Sequence, residues 1–227
     1  MEVAAKAPHA RSRTGKVESL RDDLLRMIAT GMLRPGDRIN EVHLSRALGV
    51  SRGPLREAAR ALEAHGFVEA RLNQGFHVTP FGTGDLLDVY EAKPWLDRAM
   101  IGDLATNAKR ARLEDLLRRI ERIDVSDRLS FAEGLFAFRS AIVRTLRNRT
   151  IAEQALVLFR RHYVMTAILS EAGRTDRIAE TRATIANAWR ELARGNADEA
   201  ISLSDLETTA ARRAIVARIG YASIPAD

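Results

Sequence analysis

Ser45-Arg46-Ala47-Leu48-Gly49-Val50-Ser51-Arg52-Gly53-Pro54-Leu55-Arg56-Glu57-Ala58-Ala59-Arg60 reads as a helix end, a tight turn and a second helix. Val42, Leu44, Ala47 and Leu48 recur at helical spacing, and Gly49 ends that run. Ser51 is placed to cap the next helix by accepting a bond from a free backbone N–H. Pro54 sits in the first turn, where a missing N–H costs nothing. Leu55, Ala58, Ala59 and Leu62 form one apolar stripe, while Arg52, Arg56 and Arg60 fall at i, i+4 and i+8 on the other side. A helix presented by a tight turn, with cations near its N-terminus, suits a DNA major groove, where arginine bonds guanine acceptors or phosphates. The alternative is a solvated basic face on an ordinary helical hairpin.

The flanks favour the first reading. Leu33-Arg34-Pro35-Gly36-Asp37 is a Pro-Gly turn ahead of the helix pair. Behind it, Gly66-Phe67-Val68-Glu69-Ala70-Arg71 and Phe76-His77-Val78-Thr79 are short alternating runs separated by Leu72-Asn73-Gln74-Gly75, a hairpin pattern. The order predicts a winged helix-turn-helix.

Residues 17–80 resemble the N-terminal domain of the GntR family of bacterial transcription regulators. The resemblance rests on residues 31–41, on Leu44-Ser45-Arg46-Ala47-Leu48-Gly49-Val50-Ser51-Arg52, on Pro54-Leu55-Arg56-Glu57-Ala58, on residues 62–68 and on Gly75-Phe76-His77-Val78. It implies that Ser51, Arg52 and Arg56 carry the main DNA contacts and that the wing around Gly75 meets the minor groove or its phosphates. Arg34, Asn73 and Gln74 join the DNA-facing set. Gly53 stands where the family usually has a hydroxyl residue, which removes a possible phosphate contact. Val42 replaces a polar residue used by some members, and the neighbouring His43 is the substitute contact, against the alternative of a bystander.

Composition is consistent with this division. The chain has 227 residues, enough for two domains, and a net charge of +6. Residues 1–80 hold 13 Lys+Arg against 9 Asp+Glu, so the excess is concentrated there. The chain has no cysteine, which excludes disulfides and thiolate metal sites and fits a cytoplasmic location. No apolar run approaches the roughly 20 residues needed to span a membrane. Residues 1–15 read as a disordered basic arm without a secretory pattern, with Arg11, Arg13 and Lys16 near DNA phosphates or, alternatively, in a frayed terminus.

From Asp85 the pattern is helical, over about 85–108, 112–124, 127–147, 151–171, 176–194 and 197–219. Asn148, Gly173 and Gly195 read as C-caps, and Ser126, Thr150, Thr175 and Asn196 as N-caps. Pro94 is expected to kink the first of these helices near Tyr90. The predicted fold is mainly α: a winged helix-turn-helix over 16–80, then an antiparallel bundle of six helices over 85–220.

The bundle resembles the FCD effector domain of the FadR subfamily through residues 85–93, 138–148 and 193–200, and its six helices rather than seven resemble the VanR-like branch. Such domains often hold a divalent metal with one Asp and three His. Those positions fall here on Leu135, Arg139, near Ile185 and near Glu207, so neither metal nor other cofactor is expected. Arg139 would instead point into the bundle, where Glu207 pairs with it or an effector carboxylate or phosphate replaces Glu207. Lys93, His162 and Asn187 are the further effector-lining residues. The alternative is a core filled by Leu135, Phe138 and Ile185, with Arg139 at the surface.

The expected function is DNA-affinity control by a small, anionic effector, in a homodimeric repressor on a near-palindromic operator. The alternative is a constitutive dimeric DNA-binding protein. An enzyme is not expected, since nucleophile, zinc-binding and phosphate-loop patterns are lacking and His9, His43, His65, His77 and His162 are scattered.

Overall fold

The structure is a computed structural model that describes residues 13–169 and 177–222. The chain divides into two compact units at Pro80 and Phe81. The arm over 1–15 and the caps at Gly173 and Thr175 lie outside the described residues, except that the first helix already begins at Arg13.

In the first unit, α1 (Arg13–Ala29) packs on α3 (Arg52–Glu63), with α2 (Glu41–Ala47) between them in sequence. Leu24, Leu25 and Ile28 of α1 and Leu55, Ala58, Ala59 and Leu62 of α3 are all buried, so the predicted stripe is the core face. Asn40 caps α2, its side chain accepting from the His43 N–H at 3.1 Å. Gly49 has φ 63°, a left-handed turn that favours glycine, and it redirects the chain between α2 and α3. Ser51 holds the N-cap position, but its side chain makes no cap bond, contrary to the sequence reading; the hydroxyl stays exposed.

The wing is β1 (Val68–Arg71) paired antiparallel with β2 (Gly75–Val78), with Ala70 opposite Phe76. Asn73 (φ 60°) and Gly75 (φ 79°) turn the hairpin. The segment before α2 adds an edge to this sheet. Ile39 N–H donates to Phe76 O at 2.8 Å and Val78 N–H to Asp37 O at 2.9 Å, so the Pro-Gly turn is tied to the wing.

The second unit contains α4 (Thr83–Asn107), α5 (Arg110–Glu121), α6 (Arg128–Val143), α7 (Arg149–Leu169), α8 (Ile178–Arg194) and α9 (Ala197–Ala222). Helix α4 packs on α7 and α9, α8 on α5 and α9, and α6 on α5 and α7. A core through Leu104, Leu116, Ile120, Phe138 and Phe159 joins them. Helix α4 runs on through Pro94 for 25 residues. Gly195 ends α8 with φ 93°, as expected. Three cap readings are corrected. Asp127, rather than Ser126, caps α6 by accepting from Ser130 N–H at 2.9 Å. Asn148 opens α7, accepting from Ile151 N–H at 3.1 Å, instead of closing the helix before it, and Thr150 lies inside α7.

Candidate DNA-binding face and buried charge cluster

The exposed side of α3 carries Arg52, Arg56 and Arg60, because the opposite side is fully committed to the core. Arg56 stands 3.8 Å from Glu41 of α2. It also lines an open groove with Arg71, Leu72, Asn73 and Gly75 of the wing. Helix and wing therefore share one groove, edged by the Arg56 and Arg71 cations. Leu72, at the tip, is 87% exposed. Gln74 is exposed and its N–H closes the hairpin on Arg71 O at 3.0 Å. Arg34 and His43 are exposed elsewhere on this unit, the Arg34 backbone N–H being held by Asp37 at 2.8 Å. Gly53 has open space around it, so a side chain there meets nothing. The sequence reading missed Glu41. Its only signal was a carboxylate in the first turn of the helix before Arg56.

In the helical unit, a cavity of about 40 Å³ lies among α4, α6, α7, α8 and α9. That is room for a few waters or a ligand of a few heavy atoms. Its polar wall is Lys93, Asp97, Arg139, Ser204 and Glu207; its apolar wall includes Phe138, Ile142 and Trp189. Lys93 is buried and uses its ammonium fully. It donates to Asp97 Oδ2 at 2.6 Å, Thr208 Oγ1 at 2.8 Å and Glu207 Oε2 at 3.2 Å. Burial acts to lower the Lys93 pKa, but Asp97 and Glu207 outweigh it, so it lies above its ordinary value. Ser204 Oγ donates to the same Asp97 oxygen at 2.8 Å.

Arg139 is buried and does not reach the surface. Its guanidinium lies 5.0 Å from the Phe159 ring centroid. Nη1 donates to His162 Nδ1 at 2.7 Å, and His162 Nε2 stands 3.0 Å from Tyr90 Oη. Burial first, then the positive charges of Arg139 and Lys93, hold His162 well below its usual pKa. The ring is therefore neutral. Arginine only donates, so Nδ1 is the acceptor and Nε2 carries the proton toward Tyr90. Burial, with Glu207 next, raises the Tyr90 phenol well above its usual range, so it stays protonated.

Three of the five residues assigned to an effector line the cavity: Lys93, Arg139 and Glu207. His162 is behind Arg139 and orients it. Asn187 is corrected: it is exposed and accepts a bond from Arg190, because it falls on the outer side of α8. Glu207 pairs with Lys93 rather than with Arg139. Asp97, missed from the sequence, sits four residues after Lys93 on one helix face, a spacing that could have revealed it. The divalent metal that the sequence resemblance would imply does not fit these residues. Arg139 and the ammonium of Lys93 occupy the ground where ligands would converge, and among the described residues no three His, Cys, Asp or Glu gather as a metal site.

Residues 16–78 match the family described as bacterial regulatory proteins, gntR family. That match lies wholly within the N-terminal unit. The chain is 33% identical over 103 residues to the Bacillus subtilis protein named "Uncharacterized HTH-type transcriptional regulator YdhC", covering 45% of this chain and 46% of that one. It is 40% identical over 87 residues to the Nta operon transcriptional regulator of Aminobacter aminovorans, covering 37% and 41%. It is 29% identical over 144 residues to the "Probable D-xylose utilization operon transcriptional repressor" of Paenarthrobacter nicotinovorans, covering 62% and 63%. The matched stretches thus span from about two fifths to under two thirds of these relatives. Among solved structures, E. coli McbR/YncC shares the fold of this chain with a TM-score of 0.73, 19% identity and coverage of 90% and 98%. A structural-genomics protein of Rhodococcus sp. RHA1 does so at 0.69, with 21% identity and coverage of 89% and 98%. Among the described residues no helix is long and apolar enough to cross a membrane.

Proposed function

We propose that this chain is a sequence-specific, DNA-binding transcription regulator, a cytoplasmic homodimer acting as a repressor. In this reading, the N-terminal unit reads a near-palindromic operator and the helical unit, an FCD-like domain of the FadR subfamily and its VanR-like branch, binds a small carboxylate-bearing effector. The observation that carries it is the joint surface of α3 and the wing. Arg52 and Arg56 sit on a helix face free to enter a major groove, with Asn73 and Gly75 on the same groove. Ser51, Gly53, Gln74, Arg34 and His43 are the further residues assigned to DNA in this reading. The relatives named above are all named as transcriptional regulators, which supports regulation over catalysis. One is named a repressor, and a protein seated on a promoter blocks more readily than it recruits. Trp95, 74% exposed on α4, and Leu206, 61% exposed on the adjacent α9, supply apolar surface that a dimer would cover.

Arg139 is the residue assigned to the effector's carboxylate, because Lys93 has no free proton to offer. The test is selection of duplexes from a random pool by the full chain, followed by titration. Recovery of an inverted repeat is expected. Equal affinity for all duplexes would refute the sequence-specific reading.

A further inference from the structure

The charged residues lining the bundle cavity are Lys93, Arg139, Asp97 and Glu207, two cations and two carboxylates. His162 adds no charge, being neutral. The cavity is therefore already balanced. A simple monoanion entering it would bring one buried, uncompensated charge, which is costly in a low-dielectric interior.

The hydrogen-bond inventory points the same way. Lys93 has spent all three protons. Arg139 has spent one of five, on His162. Asp97 Oδ2 takes both Lys93 and Ser204, and Glu207 Oε2 takes Lys93. Among the described residues no donor reaches Asp97 Oδ1 or Glu207 Oε1, and none of the other Arg139 N–H groups is taken by an acceptor. The polar wall therefore offers unused guanidinium donors and unused carboxylate acceptors. Phe138, Ile142 and Trp189 offer the apolar remainder.

We propose that the cavity takes a small zwitterion, an amino acid, with its carboxylate on Arg139 and its ammonium on Asp97 and Glu207. Such a ligand satisfies both halves of the wall and leaves the buried charge at zero. At about 40 Å³ the cavity leaves room for little beyond the carboxylate, the ammonium and the carbon that joins them, so its side chain is at most one or two atoms. This rests on reading the cavity as an effector site.

The test is calorimetric titration of the full chain with glycine, L-alanine and L-serine. Their deaminated counterparts acetate, propionate and 3-hydroxypropionate are run beside them, with methylamine, ethylamine and 2-aminoethanol as the decarboxylated controls. At least one amino acid is expected to bind roughly tenfold or more tighter than its matched acid and its matched amine. In Glu207→Gln, which leaves the wall one positive charge in excess, that preference should shrink or reverse in favour of the acid. An acid binding as tightly as its amino acid in the unaltered chain would overturn the zwitterion proposal and leave the effector reading standing. No binding by any probe would overturn both. A Glu207→Gln chain that folds and keeps the full preference would overturn the assignment of the ammonium.

Discussion

Arg52 stands in the first turn of α3, exposed, with the buried stripe of that helix on the opposite side. Its reach is set by the rigid element behind it, which is what base readout requires. Arg52→Ala is expected to cost about 1–3 kcal/mol of operator binding and to relax base preference at one position per half-site. Titration against a set of operator variants checks this; an unchanged ranking of variants would refute a base-reading role.

His162 is the second residue with a distinct expected behaviour. Burial and the cations beside it depress its folded pKa, whereas the unfolded chain takes up a proton near the ordinary value of about 6.5. Between the folded pKa and that value the unfolded state binds more protons. Stability is therefore present above about pH 6.5 and declines as pH falls below it. Carboxylates such as Asp127, held down by the Ser130 hydroxyl and N–H, act only at lower pH, so the upper window belongs to His162. Urea unfolding of the full chain at stepped pH should show the decline between about pH 6.5 and 5. His162→Gln, which keeps an acceptor for Arg139 and a donor for Tyr90, should flatten it.

Among the elements, two glycines in helices make a contrast. A Cβ on Gly134 of α6 would come within 2.7 Å of Ile123 Cγ2, a buried, β-branched atom with no free end to swing away. Helix propensity would gain up to about 1 kcal/mol from Gly→Ala, but overpacking costs about 1–3 kcal/mol, so the clash decides the sign. Gly134→Ala should lower the unfolding free energy by about 1–2 kcal/mol. In an Ile123→Ala background the same change should be neutral or stabilising, and a double-mutant cycle reads the difference. Gly53 of α3 has open space instead. Gly53→Ala should stabilise by a few tenths up to about 1 kcal/mol.

How far each element was legible depended on how local its cause is. The α3 stripe, the turn at Gly49 and the C-cap at Gly195 follow from side chains within a few residues, and each stands where the pattern places it. The cap of α6 was misread because Ser126 and Asp127 are both competent, and only the chain's path decides which faces the Ser130 N–H. The third edge of the wing was invisible. Ile39 bonds to Phe76 across 37 positions, and nothing in residues 36–39 announces a partner so distant.

For the whole molecule, the net charge of +6 is carried mainly by residues 1–80. Operator affinity should therefore be strongly electrostatic. If the dimer neutralises about six or more phosphates, affinity should fall by about a thousandfold between about 50 and 200 mM salt. Anisotropy titrations across that range measure it, and a flat profile would exclude the phosphate-dominated contact. The helical unit should respond little to the same salt, because its charge cluster is buried beyond the reach of screening ions.

The linear chain was enough to specify the two-part organisation, the winged helix-turn-helix and the six helices after it, because periodicity, turns and caps are short-range and repeat along the chain. It also brought Lys93, Arg139 and Glu207 forward as interior charges. Their pairing depended on long-range packing. Lys93 and Glu207 lie 114 positions apart, and which carboxylate meets which cation depends on how α4, α6 and α9 pack. That packing gave both carboxylates to Lys93, turned Arg139 onto His162, and left Asn187 outside.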